Sequence, residues 1–218
     1  MRPAAAGDHA WVFGSFVAGA AAGYAIAIPV GAITTYLVML GARHGWRVAA
    51  AGGLGVATAD GLYATVALTI GAVMAPVIVA VQTPLTWISV VVLAGVGVAL
   101  ALPALRSAPA RTAAADTSLT TARRAYVVVL GLTIINPATV VYFAALVAGS
   151  SFGSFDTLPE RAAFVAGAFL ASVSWQLFVA GAGASLGRIL TGPTGQRATA
   201  LLGGAVVIAL AVKTGLGA

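Results

Sequence analysis

Six apolar runs, each about as long as a bilayer is thick, decide what this chain can fold into. They cover residues 12–40, 48–71, 85–102, 125–148, 162–186 and 198–212, the last extending to 216 if the apolar pattern is followed to its end. A helix needs about 20 apolar residues to cross about 30 Å of hydrocarbon. Only 7% of the 218 residues are charged and 61% are hydrophobic. A soluble domain of this size needs more polar residues than that to cover its outside. The expectation is an all-α integral membrane protein, a single transmembrane domain over 1–218 with six transmembrane helices. The connections are short except for 103–124, which is rich in Ala, Thr, Arg and Pro and reads as a flexible linker. Residues 1–7 are too short and weakly charged for the n-region of a signal peptide, so the first run is read as a retained span.

Two of the runs are interrupted. Pro29 and Gly31 fall inside the first, and Asn136-Pro137 falls near the centre of the fourth. A proline removes one backbone donor, which frees the carbonyl of Ala25 in the first case and of Thr133 in the second. In lipid an unsatisfied carbonyl costs several kcal/mol, so both breaks should face protein or water. Gly41 follows Pro29 by the same interval at which Gly149 follows Pro137. This spacing suggests a duplicated three-helix unit, repeat 1 over about 12–102 and repeat 2 over about 125–216. Three spans is an odd number, so the two repeats would be inverted, with helices 1 and 4 broken. Paired broken helices in inverted repeats point to a transport site near the bilayer midplane.

Lysine and arginine set the orientation. The first, third and fifth connections carry eight: Arg43, Arg47, Arg106, Arg111, Arg123, Arg124, Arg188 and Arg197. The termini and the other two connections carry three: Arg2, Arg161 and Lys213. The first group is expected in the cytoplasm and both termini outside it, in a bacterial inner membrane. The net charge of +6 is spread over the ends of apolar runs. It forms no basic stripe interleaved with aromatics, so nucleic acid is not expected as a partner.

Chemistry has few parts to work with. There are no cysteines, five acids and two histidines, nearly all of them in connecting segments. This argues against an enzyme, and no cofactor is expected. The exception is Asp60, midway along 48–71. A carboxylate at that depth costs about 3 kcal/mol or more, and persists where it faces a cavity, is protonated or has a partner. Such a group can couple a proton or meet a cationic substrate, or it can be a protonated structural residue. Thr34 and Thr35 follow the first break, Asn136 begins the second, and Ser172, Ser174 and Gln176 lie mid-run in 162–186. If Gly55 and Gly167 are matched across the repeats, Ser172 takes the place of Asp60. The candidate substrate-binding residues are therefore Pro29, Gly31, Thr34, Asp60, Asn136, Pro137, Ser172 and Gln176. Gly19-x-x-x-Gly23 and Gly183-x-x-x-Gly187 allow close helix packing; a homodimer is left open. Trp11, Trp46, Trp87, Tyr126 and Phe155 fall at expected interfaces, whereas Trp175 is mid-span and reads as core.

The stretch Ala27-Ile28-Pro29-Val30-Gly31, the glycine-spaced Gly41-Ala42-Arg43-His44-Gly45 and Gly52-Gly53-Leu54-Gly55, the pair Ala59-Asp60 and the later Ile134-Ile135-Asn136-Pro137 together resemble the LysE/RhtB-type amino-acid exporters. Size and span count agree, so the resemblance covers nearly the whole chain. Pro29-Val-Gly31 lacks the second proline frequent in that family, and Ala138 stands where a lysine or histidine is usual. The resemblance implies proton-driven export of an amino acid or a similar small polar metabolite from a site surrounded by lipid, with Pro29, Gly31, Asp60, Asn136 and Pro137 as matching positions. The rival reading is a metal or inorganic ion transporter of a related six-span type, which would want several ligating side chains at depth.

Overall fold

A computed structural model describes residues 6–29, 31–105, 121–136, 139, 155, 157–189 and 193–216. The described elements are helices: α1 (Ala6–Ala27), α2 (Ala32–His44), α3 (Trp46–Leu105), α4 (Ala122–Ile134), α5 (Leu158–Ile189) and α6 (Pro193–Leu216). Their ends follow local chemistry. Thr121 caps α4, its hydroxyl accepting from the Arg124 N–H at 3.3 Å. At the head of α5, the Thr157 N–H donates to Glu160 Oε2 at 3.1 Å and the Glu160 N–H donates to Thr157 Oγ1 at 3.4 Å. This reciprocal pair satisfies two donors that the first turn leaves without partners. Pro193 opens α6, where its missing N–H costs nothing. Gly45 joins α2 to α3 at φ 82°, ψ 174°, a region only glycine enters easily.

The first apolar run is broken where its sequence says. α1 stops at Ala27, residues 28–29 bend, and α2 starts after Gly31. The second and third runs differ from expectation. No loop separates them, and α3 is helical through all 60 residues from Trp46 to Leu105. Pro76 and Pro84 fall within it, and each removes one backbone donor. A straight helix of this length would extend roughly 90 Å and set Val56 about 55 Å from Leu93. Both residues nevertheless line one cavity. The segment therefore turns back on itself between them, giving α3 two arms, one carrying Val56 and the other Leu93. Much of the linker and the second half of the fourth run, including Pro137 and Gly149, lie outside the described residues.

Packing gives the directions of the helices. A Cβ on Gly19 would meet the backbone of Phe164, one on Gly23 that of Ala168, one on Gly183 that of Val38, and one on Gly187 that of Ala42. Numbers rise together along both partners, so α1 and α2 run parallel to α5 as one broken span. Gly55 sits against Tyr126 and Leu130 of α4 in the same manner as Gly167 sits against Phe16 and Ala20 of α1. Gly97 lies against Gly204 and Ile208, while Gly204 lies against Gly97 and Ala101. This last contact is reciprocal and antiparallel, between the second arm of α3 and α6.

One buried cluster, including Leu37, Val56, Leu93, Val129, Ala180 and Val207, joins α2, both arms of α3, α4, α5 and α6. Large apolar side chains also cover the outside: Phe13, Val91, Val127, Leu170 and Phe178 are each more than half exposed. Helices 10–27 and 158–187 contain windows long and apolar enough to cross a membrane. An apolar core wrapped in an apolar surface is stable where the solvent is lipid. Trp11, Trp46 and Trp87 are exposed, as residues of an interfacial belt would be. Trp175 is partly buried against the core, its ring 5.4 Å from that of Phe178.

Candidate functional site

The break between α1 and α2 and the end of α4 open onto the same space. A cavity of about 230 Å³ lies between the end of α1, the start of α2, both arms of α3, the end of α4, and α5. Pro29, Gly31 and Thr34 line it from the first break, Asn136 from the second, Asp60 from α3 and Gln176 from α5. Six of the eight residues singled out in the sequence thus surround one cavity. Ser172 is not on its wall. It is fully buried behind Asp60, and its hydroxyl donates to Asp60 Oδ2 at 2.7 Å. The two positions matched across the expected repeats are therefore in direct contact. Pro137 lies outside the described residues.

Each polar group has a local reason for its place. α2 begins at Ala32 with no side chain capping it, and Gly31 precedes it in an extended conformation. The first N–H groups of a helix have no intrahelical partner and carry partial positive charge. Here they belong to residues that line the cavity, Ala32, Ile33 and Thr34 among them. The Gly31 carbonyl is already occupied, accepting from the Thr35 N–H and hydroxyl, both at 3.0 Å. Asp60 is 3% exposed, and among the described residues no lysine, arginine or histidine lines the cavity with it. Gln176 is equally buried, and its Oε1 has no hydrogen-bond partner among the described residues.

The second break differs from the sequence expectation in one respect. The Thr133 carbonyl is not left free, because the Asn136 N–H donates to it at 3.2 Å in a tightened last turn. The carbonyls that need partners are those of Ile134 and Ile135. Tyr63 donates its hydroxyl to Ile134 O, and Ser89 donates to Ile135 O. One hydroxyl comes from each arm of α3. Neither residue stands out in the sequence, nor do Thr133 and Thr139, which also line the cavity. Tyr63 follows Asp60 by three residues on one helix face, and that spacing is the signal that points to it.

The arrangement offers one carboxylate, an unpaired amide oxygen and a helix N-terminus around a solute-sized space. A family model described as LysE type translocator matches residues 24–217. The chain is 34% identical over 137 residues to a protein of Aeromonas salmonicida named "Putative amino-acid transporter YggA". That alignment covers 62% of this chain and 64% of the relative, so the chain spans just under two thirds of the relative's length. No solved structure matches.

Proposed function

The chain belongs to the LysE type translocators, and from that premise we propose that it exports amino acids or similar small polar metabolites across a bacterial inner membrane. The observation that carries this reading is the convergence of both helix breaks on one cavity with a buried acid, Asp60. A zwitterion has one group for each end of that cavity. Its ammonium meets Asp60, and its carboxylate meets the N–H groups that begin α2. The volume of about 230 Å³ exceeds the ~150 Å³ that holds a benzene molecule, and suits a small amino acid.

Export is coupled to protons through Asp60, which releases its proton when it takes the substrate's ammonium and regains one when the substrate has left. The membrane is crossed six times, in two inverted repeats. The equivalent contacts of Gly55 and Gly167, the reciprocal pair Gly97 and Gly204, and the Ser172–Asp60 bond all support a two-fold relation between the halves. The arginine-rich connections face the cytoplasm and both termini face away from it.

The test is efflux of the twenty labelled amino acids, loaded singly into proteoliposomes, with and without an imposed proton gradient. Gradient-dependent efflux of at least one is expected. Its absence for all of them, with insertion confirmed, overturns the reading.

A further inference from the structure

Gln176 is a buried polar residue of the cavity wall to which the transport reading assigns no task. Its Oε1 is enclosed and has no hydrogen-bond partner among the described residues, although the residue lines the cavity. A buried acceptor without a donor is unfavourable, so Oε1 favours a ligand that brings one. The surroundings say what the donor belongs to. Gln176 stands one helical turn beyond Ser172, which holds Asp60 Oδ2 at 2.7 Å. Residues so spaced have Cβ atoms about 5–6 Å apart on one face. The base of the Gln176 side chain is pressed against α3, where a Cβ on Gly53 would come within 2.9 Å of the Gln176 Cβ. Two buried oxygen acceptors, Asp60 and Gln176, thus belong to one patch of the wall. A cation drawn to the carboxylate enters the cavity whose wall also carries the amide.

Building on the proposed amino-acid site, we infer that Gln176 is a specificity-determining residue that takes a second N–H from the substrate's ammonium, Asp60 taking the first. The substrate class is then amines with at least two N–H groups on one nitrogen, beside a carboxylate. Counting donors gives the consequence. Glycine brings three N–H groups, sarcosine two, N,N-dimethylglycine one and betaine none. The first two satisfy both acceptors. The third leaves Gln176 Oε1 unpaired, and the fourth satisfies neither acceptor.

The experiment uses the full chain in proteoliposomes, with labelled glycine as the probe and the three methylated compounds as competitors on the side from which glycine leaves. In the wild type, sarcosine competes comparably with unlabelled glycine, and dimethylglycine is weaker by about tenfold, the loss expected when a buried acceptor goes unpaired. In Gln176→Leu the step between sarcosine and dimethylglycine disappears, while betaine remains a poor competitor because Asp60 is still present. Gln176→Glu keeps an oxygen acceptor and keeps the step. Gln176→Met repeats the test if the leucine variant fails to insert. A step elsewhere in the series, a step that survives in both apolar variants, or a site that ignores glycine while other amino acids move, overturns the inference and leaves the exporter reading standing. No movement of any labelled amino acid overturns the exporter reading itself.

Discussion

Asp60 accepts the hydroxyl of Ser172, and the two residues respond differently to substitution. Asp60→Asn preserves shape but cannot exchange a proton or balance an ammonium. Gradient-coupled export should be lost while insertion and melting temperature stay near wild type; efflux measured with and without a protonophore checks this, and full coupling in the variant would remove Asp60 from the mechanism. Ser172→Ala deletes a single hydrogen bond to a carboxylate, worth about 1.5–3 kcal/mol. Half-maximal substrate concentration should rise roughly tenfold or more, with Ser172→Thr restoring much of the loss. An unchanged value in the alanine variant would make the bond incidental. Both residues were legible before folding, Asp60 by its depth and Ser172 by the match of Gly55 to Gly167. Tyr63 and Ser89 were not. Hydroxyls in apolar helices ordinarily bond the carbonyl one turn back, as Thr35, Thr58, Thr65 and Thr133 do here. What sets Tyr63 and Ser89 apart is a partner on another helix, at the break after α4. That information is tertiary.

At the scale of elements, the glycines separate into those that set helix spacing and those that do not. The motif Gly19-x-x-x-Gly23 was readable as a packing surface, but nothing in it names its partner. The partner is α5, and a Cβ on Gly19 would collide with the Phe164 backbone, which has no rotamer to yield. Gly14, one turn away on α1, has open space around its Cβ position. Gly14→Ala should therefore be neutral or slightly stabilising, by up to about 1 kcal/mol from helix propensity. Gly19→Ala should push α1 from α5 and lower the melting temperature by several degrees in detergent. Equal melting temperatures for the two variants would mean that Gly19 does not set the spacing of this crossing. The same logic explains the misread connection in α3. Period and hydropathy cannot tell a helical turn-back from a loop when the linking residues are themselves apolar. The return appears only once Val56 and Leu93 are found around one cavity.

The whole molecule adds a constraint that neither residues nor single helices supply. Because α1 and α2 run parallel to α5, the end of α2 and the start of α5 lie at opposite ends of the packed helices. Packing alone requires this. Which end faces which side is a separate matter: Arg43 and Arg47 flank the turn at Gly45, and the proposed orientation, with the arginine-rich connections inside, has that turn in the cytoplasm. The chain has no cysteine, so one introduced thiol reports without background. His44 and Leu158 are both exposed, at the end of α2 and the start of α5. With a membrane-impermeant maleimide on intact cells, Leu158→Cys should be labelled at once, and His44→Cys only after the membrane is opened. Parallel packing and membrane orientation fail in different ways. Labelling of both thiols from the same side would contradict the parallel packing of the broken span on α5. With it would go the cavity that the two breaks share. A reversed pattern would leave the packing and the cavity intact, and would turn the arginine-rich connections, and with them the direction of export, to the other side.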